Sequence, residues 1–218
     1  MEDSAGKLRS LECELGLLKR ADGSARLSQG NTRVLCAVYG PAEVKINKEQ
    51  CDQATLEVTV KPESGMSSPK ERLLEELVTS CCKSTALSQL HPHTALSITL
   101  QVENNDGMLL STLVNCCCLA LLDACVPLST VFSAITCGYT ENGQLVTDLS
   151  AQQEEVCESV LTFVLEDATS NILTTYAKGA FSIDQLQQSL AVAEEASKKV
   201  TAFYRESVER KLSKDAEH

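Results

Sequence analysis

The sequence predicts an α+β fold in which helices pack over largely antiparallel sheets. Two segments, Thr55 to Lys61 and Leu96 to Val102, alternate apolar and polar residues with the period of a half-buried strand. Ser68 and Ser182 each precede a helical pattern and stand three residues before an acid or amide side chain, the spacing of a capping box. Asn142-Gly143 separates two apolar runs, which is a strong hairpin signal.

The first half of the chain is predicted to run ββαβα after a short lead. A turn at Asp22 to Ala25 precedes the elements, and Pro69 and Glu71 behind Ser68 begin the first helix. The helix that follows the turn Asn104 to Gly107 is apolar nearly all round, so it should be buried between layers. The predicted elements are strands Arg33 to Tyr39, Thr55 to Lys61 and Leu96 to Val102, with helices from Pro69 and over residues 111 to 123.

The second half, from Pro127, is predicted to run ββββα. A long amphipathic helix begins after Ser182 and continues through Val208. The predicted strands are Val131 to Gly138, Gln144 to Asp148, Val156 to Leu165 and Ile172 to Ala177. Since no linker separates the halves, we expect one compact domain.

Charge is distributed unevenly along the 218 residues. The net charge is −11, which argues against strong autonomous binding to nucleic acid. No Lys or Arg occurs between Lys83 and Lys178, whereas acidic residues continue through this region. Phosphate contacts must therefore come from the two ends of the chain.

Cysteine usage and hydropathy indicate a reduced intracellular compartment without a membrane span. The cysteine count is eleven, and the adjacent thiols Cys81-Cys82 and Cys116-Cys117-Cys118 cannot pair with their neighbours. No apolar run reaches the ~18–20 residues that cross a bilayer, and the acidic start is unlike a signal peptide. His91-Pro92-His93 has no third metal ligand at a fitting spacing, so we interpret it as a loop.

Several collinear motifs resemble the RNase PH family. The first is a Gly-Ser turn, a Gly-Asn-Thr turn and a Val-rich strand that ends in Gly-Pro. The last is similar to a segment of the ring subunits of eukaryotic exosomes. The motifs, in order, are Ala21 to Pro41, Leu56-Glu57-Val58, Lys70-Glu71-Arg72-Leu73-Leu74, Asn104 to Gly107 with the helix to Asp123-Ala124, and Phe203-Tyr204-Arg205-Glu206-Ser207.

This resemblance implies an RNase PH-like (ribosomal protein S5 domain 2-like) two-lobed β-α fold. It implies one domain over residues 1–218, with halves at about 8–126 and 127–212. It also implies hexameric rings around a channel for single-stranded RNA. The implied partners are other RNase PH-like exosome ring subunits, RNA-binding cap subunits and single-stranded RNA, with a homodimer when the chain is isolated and no membrane. The implied locations are nucleus, nucleolus and cytoplasm.

Active members cleave RNA with inorganic phosphate held by a Gly-Thr-Arg loop. The corresponding loop here runs from Gly107 to Thr112 and has no Arg, which leaves Ser111 and Thr112 as neutral donors. Of the two substrate-side arginines that the family places one helical turn apart, Arg72 matches the first and Glu76 replaces the second.

The family's carboxylate pair corresponds to Asp148 and Glu154, six positions apart. These residues are the catalytic candidates, and the competing interpretation is a solvated acidic turn. If the resemblance holds, both side chains approach the Gly107 loop because the two halves pack face to face.

The sequence therefore favours a non-catalytic structural and RNA-path subunit of the exosome ring, without cofactor or metal. Lys70 and Arg72 would contact RNA or phosphate, together with other basic residues near the N-terminus. The alternative is an active nuclease, phosphorolytic or metal-dependent and acting on RNA or DNA as a homodimer, with Asp148, Glu154 and Mg²⁺. The other basic candidates for the RNA path are Lys19, Arg20, Arg26, Arg33, Lys45 and Lys48.

Overall fold

The computed structural model describes residues 8–140 and 143–216. Within them, nine strands and four α-helices follow one another in two consecutive groups. The first group is β1 Leu11–Leu15, β2 Gly23–Gln29, β3 Thr32–Glu43, β4 Thr55–Lys61, α1 Pro69–Thr85, β5 Thr94–Asn104 and α2 Leu109–Asp123. The second is β6 Phe132–Tyr139, β7 Leu145–Thr147, α3 Ala151–Val156, β8 Ser159–Glu166, β9 Ile172–Gly179 and α4 Ile183–Ala216.

Each group builds one sheet. The first sheet has the order β1-β2-β3-β5-β4, and every pair in it is antiparallel except β4 with β5. The second has the order β7-β6-β8-β9 and is antiparallel throughout. The predicted α+β class with mixed, largely antiparallel sheets is confirmed.

Helix α2 lies between the two sheets and joins their cores. It packs against β2 and β3 on one side and against β6 and β8 on the other. Every residue from Leu110 to Leu121 is buried, as the apolar composition of this helix predicts. Helix α1 covers β4 and reaches β9, while α4 packs on β6, β8 and β1. No helix of the described ranges is both long enough and apolar enough to span a bilayer.

Both predicted capping boxes are confirmed. The Ser68 N–H donates to Glu71 Oε2 at 2.6 Å, and the Ser68 hydroxyl accepts from the α1 backbone. The Ser182 N–H donates to Gln185 Oε1 at 2.7 Å, and the Gln185 N–H donates back to Ser182 Oγ at 3.2 Å. Such signals are reliable because all their partners lie within four residues.

The turn predicted at Asp22 to Ala25 is wrong. Gly23 begins strand β2, and strand β1 before it was not predicted. A Cβ on Gly23 would lie 2.3 Å from the backbone nitrogen of Ala124. Glycine is present because β2 approaches the end of α2 closely, and not because the chain turns there.

The region before β8 also differs from the prediction. Residues predicted as an acidic turn and the start of a strand form helix α3, which Ser150 and Gln153 cap reciprocally. The strand itself begins at Ser159. The hairpin between β6 and β7 is confirmed by their antiparallel pairing, although Asn142 of the predicted turn lies outside the described residues.

Because several thiols are buried, we expect the free energy of unfolding to fall at alkaline pH. Burial raises the pKa of Cys118 and of Cys137 from 9.0 to about 12. The unfolded chain therefore loses these protons at a lower pH than the folded chain does. The contribution of the two neutral thiols to the free energy of unfolding is complete below pH 9 and is lost as pH rises toward about 12.

We expect the urea midpoint to fall steadily across this pH interval. Cys118→Ala should flatten the pH dependence of the midpoint, whereas Cys51→Ala, which removes an exposed thiol, should leave it unchanged. A midpoint independent of pH would contradict this prediction.

Candidate functional site

A cleft of about 540 Å³ opens where the Gly107 loop meets the second sheet. Helix α1, the loop and the start of α2 form one wall, and α3 with strands β6, β8 and β9 forms the other. The lining residues are Lys70, Leu73, Leu74, Asn105, Gly107, Met108, Leu109, Leu110, Thr136, Ala151, Glu154, Glu155, Val160, Thr162, Tyr176 and Lys178.

The loop is held against α3 by a glycine and a carboxylate. Gly107 has a φ of +88°, and a Cβ there would lie 2.7 Å from the Ala151 nitrogen. The next N–H, of Met108 at the N-terminus of α2, donates to Glu154 Oε2 at 3.1 Å. Glu154 therefore places a carboxylate of the chain itself beside the N-terminus of α2, where the helix dipole favours a negative charge.

The two predicted hydroxyl donors point away from the cleft. Ser111 and Thr112 are fully buried, and neither lines the cleft. Their hydroxyls donate to the Met108 carbonyl at 2.9 and 3.3 Å. Both hydroxyls therefore make hydrogen bonds within the first turn of α2, and the structure does not present them to a phosphate.

Asp148 is engaged in a buried ion pair. Its carboxylate accepts the Arg9 N–H at 2.5 Å and the Arg9 Nε–H at 2.9 Å. The Asp148 side chain is 1% exposed and that of Arg9 is 21% exposed. The same guanidinium donates to the Asp106 carbonyl at 3.3 Å. Arg9 thus ties the N-terminal segment to the loop and to the end of β7.

Both predicted carboxylates approach the Gly107 loop, as expected from the packing of the two halves. Glu154 accepts a hydrogen bond from the loop backbone directly. Asp148 is linked to the start of the loop through Arg9, which bonds both Asp148 and the Asp106 carbonyl. Both oxygens of Asp148 and the Oε2 of Glu154 already accept hydrogen bonds, which does not suit a divalent cation that needs several open oxygen ligands. Among the described residues, no cluster of three His, Cys, Asp or Glu side chains could hold a metal ion.

The open part of the cleft is apolar with charged margins. Lys70 and Lys178 are exposed at its edges, and Leu73 is 44% exposed on its lip. Glu154 and Glu155 line the same cleft. With two ammonium groups, two carboxylates and no arginine, its described lining suits loose contact with a phosphodiester chain better than capture of an orthophosphate dianion.

Arg72 and Glu76 lie elsewhere. Both line a groove between α1 and β4, and neither lines the cleft that holds Glu154. In that groove Lys48 pairs with Glu57 at 2.8 Å. The structure therefore separates Arg72 from Lys70, with which the sequence had grouped it.

Two residues of this region were not predicted. Arg9 precedes β1, whose alternation of Leu and Cys with Glu was a usable strand signal, but nothing local links it to a partner 139 residues away. In the sequence, Lys178 stands out only as the end of a stretch without basic residues. Its position on β9 brings it to the cleft.

Comparison with known proteins shows the family to which the chain belongs. A model for domain 1 of the 3′ exoribonuclease family, RNase PH, matches residues 7–127, and the model for domain 2 matches residues 130–196. A rice (Oryza sativa subsp. japonica) protein named exosome complex exonuclease RRP46 homolog is 32% identical, over 96% of this chain and 94% of its own length.

Solved structures agree with that placement. The crystal structure of rice Rrp46 superposes with a TM-score of 0.87 at 34% identity, covering 92% of this chain and 95% of the rice chain. An Archaeoglobus fulgidus exosome with RNA bound to the active site contains a chain with a TM-score of 0.80 at 16% identity. It covers 91% of this chain and 89% of its own, and shows the same fold. Because both domain models and a relative aligned over nearly the whole length match, this chain belongs to the RNase PH (3′ exoribonuclease) family.

Proposed function

We propose that this chain is a structural, RNA-contacting subunit of an exosome ring that acts in 3′→5′ RNA processing and degradation. The names of its relatives and its alignment along almost their whole length support membership of an exosome. The observation that carries the non-catalytic part is the bond from the Met108 N–H to Glu154, which fills the loop's anion position with a carboxylate of the chain itself.

Three features of the cleft oppose phosphorolysis. Its described lining contains no arginine, and the hydroxyls of Ser111 and Thr112 face inward. Glu154 would repel an incoming phosphate dianion at the position where the helix N-terminus could otherwise bind it. The loss of one such cation costs on the order of 3–4 kcal/mol, or 10²–10³ in rate.

In the proposed role, the cleft contacts RNA without cutting it. Lys70 and Lys178 flank an apolar lip that includes Leu73 and Tyr176. Two ammonium groups beside an aromatic ring can hold a phosphodiester backbone and stack a base, which needs no reacting phosphate. The adjoining α1 groove offers Arg72 as a further contact.

The proposed partners are other RNase PH-like ring subunits, RNA-binding cap subunits and single-stranded RNA, with a homodimer when the chain is alone. The proposed locations are nucleus, nucleolus and cytoplasm. Within the described ranges the sheets end in four edge strands, β1 and β4 in the first sheet and β7 and β9 in the second, and a strand of a neighbouring chain can pair with such an edge. A stable interface of this kind buries at least ~1,000 Å².

Co-expression with RNase PH-type ring subunits tests the assembly. We expect a hetero-oligomer of defined mass that contains one copy of this chain for each ring and crosslinks to single-stranded RNA carrying a photoreactive uridine. A chain that stays monomeric at high micromolar concentration and is indifferent to those subunits would contradict the proposal.

The RNA contact is tested within the assembled ring. Lys70→Glu with Lys178→Glu should reduce crosslinking to this chain at least severalfold. Lys198→Glu with Lys199→Glu makes the same charge change at exposed positions of α4 outside the cleft, and it should leave crosslinking unchanged. Equal crosslinking in all three rings would show that RNA does not pass this cleft.

A further inference from the structure

A second cleft, of about 700 Å³, lies between β1 and the C-terminal part of α4 and shares no lining residue with the Glu154 cleft. Five basic side chains line it, against two acidic ones, Glu12 and Glu14. The chain as a whole carries a net charge of −11, so this concentration of positive charge is a local exception. The five are Arg26, Arg33, Arg210, Lys211 and Lys214.

The fold assembles this basic cleft from the two ends of the chain. Arg26 and Arg33 lie on β2 and β3, whereas Arg210, Lys211 and Lys214 lie on the last turns of α4. Lys211 is fixed by Asp123, whose carboxylate accepts from its Nζ at 2.6 Å. The positions of the basic groups are thus set by the packing of α4 on the first sheet.

Some of these cations remain available to a ligand. Arg33 is 53% exposed, and the nearest carboxylate oxygen, on Glu103, is 4.0 Å from its Nε. Arg210 is 52% exposed and meets Glu206 only along the helix surface, at 3.4 Å. Arg26 is held by Glu103 at 3.1 Å and by Glu14 at 3.3 Å, but Glu14 is 62% exposed and can move away at little cost.

We infer that the basic cleft is a binding site for the phosphodiester backbone of single-stranded RNA, separate from the Glu154 cleft. This inference rests on the proposed function for its choice of ligand. Guanidinium groups favour phosphate through paired hydrogen bonds. The half-buried ring of Phe203 in the same lining gives a base an apolar face on which to stack.

Fluorescence anisotropy with a labelled oligo-uridine of about 12 nucleotides tests the site on the full chain. Arg33→Glu with Lys214→Glu should weaken binding by roughly tenfold to a hundredfold and flatten its decline between about 50 and 200 mM salt.

Lys198→Glu with Lys199→Glu is the matched control, because both side chains are exposed and lie outside the basic cleft, and it should bind within twofold of the original chain. Unchanged binding by Arg33→Glu with Lys214→Glu would overturn the inference. Displacement of the RNA by a polyglutamate peptide of equal length and comparable affinity would overturn it as well, because the site would then recognise acidic protein. Assembly with ring subunits is measured separately, by mass, and its absence would count against the proposed function. If only the basic cleft is assigned wrongly, assembly persists and the anisotropy of Arg33→Glu with Lys214→Glu equals that of the original chain.

Discussion

Replacement of Arg9 by alanine is expected to lower the free energy of unfolding by about 3 kcal/mol. The change removes the side-chain contacts of Arg9 to the Asp148 carboxylate and to the carbonyl and carboxylate of Asp106. It leaves the Asp148 carboxylate, 1% exposed, without its counter-charge. The cost arises because an ionised carboxylate is then buried without compensation. Urea denaturation at neutral pH measures it directly.

Arg26→Ala is the matched control for this prediction. Arg26 also forms ion pairs with two carboxylates, but its side chain is 37% exposed, so its loss should cost less than about 1 kcal/mol. Asp148→Asn in the Arg9→Ala background should recover part of the loss, since an amide carries no charge and asparagine tolerates the positive φ of 62° at this position. Equal costs for Arg9→Ala and Arg26→Ala would refute the structural role of the pair.

Asn115→Ala is expected to destabilise the fold by roughly 3–5 kcal/mol. Asn115 on α2 accepts the Ala134 N–H at 2.7 Å and donates to the Ala134 carbonyl at 3.0 Å. Its Oδ1 also accepts the Tyr204 hydroxyl at 2.8 Å. Strand β7 pairs only with the last residues of β6 and does not reach Ala134. The Asn115 amide therefore makes the two backbone hydrogen bonds at Ala134 that a neighbouring strand would otherwise make. Its removal leaves three buried polar groups unpaired.

Tyr204→Phe separates the contributions to this network. This change removes only one of the three hydrogen bonds, and Asn115 Oδ1 still accepts the Ala134 N–H. We therefore expect the free energy of unfolding to fall by about 1–2 kcal/mol. Thermal and urea unfolding should both rank the variants in this order. A loss for Asn115→Ala no larger than that for Tyr204→Phe would show that the backbone bonds to Ala134 contribute little.

The sequence predicted the elements whose causes are local. The capping boxes at Ser68 and Ser182 and the strands β4 and β5 depend on neighbours within a few residues, and the structure confirms them, although in β4 only Val60 is buried. The apolar composition of α2 likewise predicted its burial between two layers. These elements together were sufficient to give the fold class.

Long-range contacts explain what the sequence did not predict. Gly23 suggested a turn because its partner at Ala124 lies on another element. Asp148 and Glu154 were correctly expected near the Gly107 loop, but their bonds to Arg9 and Met108 follow only from packing. The Ser111 and Thr112 hydroxyls donate to the Met108 carbonyl three and four residues earlier, a local bond that competes with ligand binding and that the residue types alone do not reveal.

The two acidic residues at this site therefore stabilise the local architecture in this chain. Asp148 anchors the N-terminal segment, and Glu154 holds the loop to α3. Under the proposed function, the carboxylates at these two positions are kept for structural reasons and not for catalysis. This explanation predicts that substitutions at Asp148 reduce stability rather than an RNA-cleaving activity.

The most direct test of the proposed role is phosphate-dependent RNA shortening by the purified chain. Single-stranded RNA is incubated with the chain and Mg²⁺, with and without inorganic phosphate, and nucleoside diphosphates are quantified. We predict none above background in either condition, whereas RNA binding and assembly with ring subunits persist. Nucleoside diphosphates that require phosphate and disappear with Glu154→Gln would contradict the account and show an active phosphorolytic site. Shortening without phosphate that is lost with the same variant would instead show a hydrolytic nuclease.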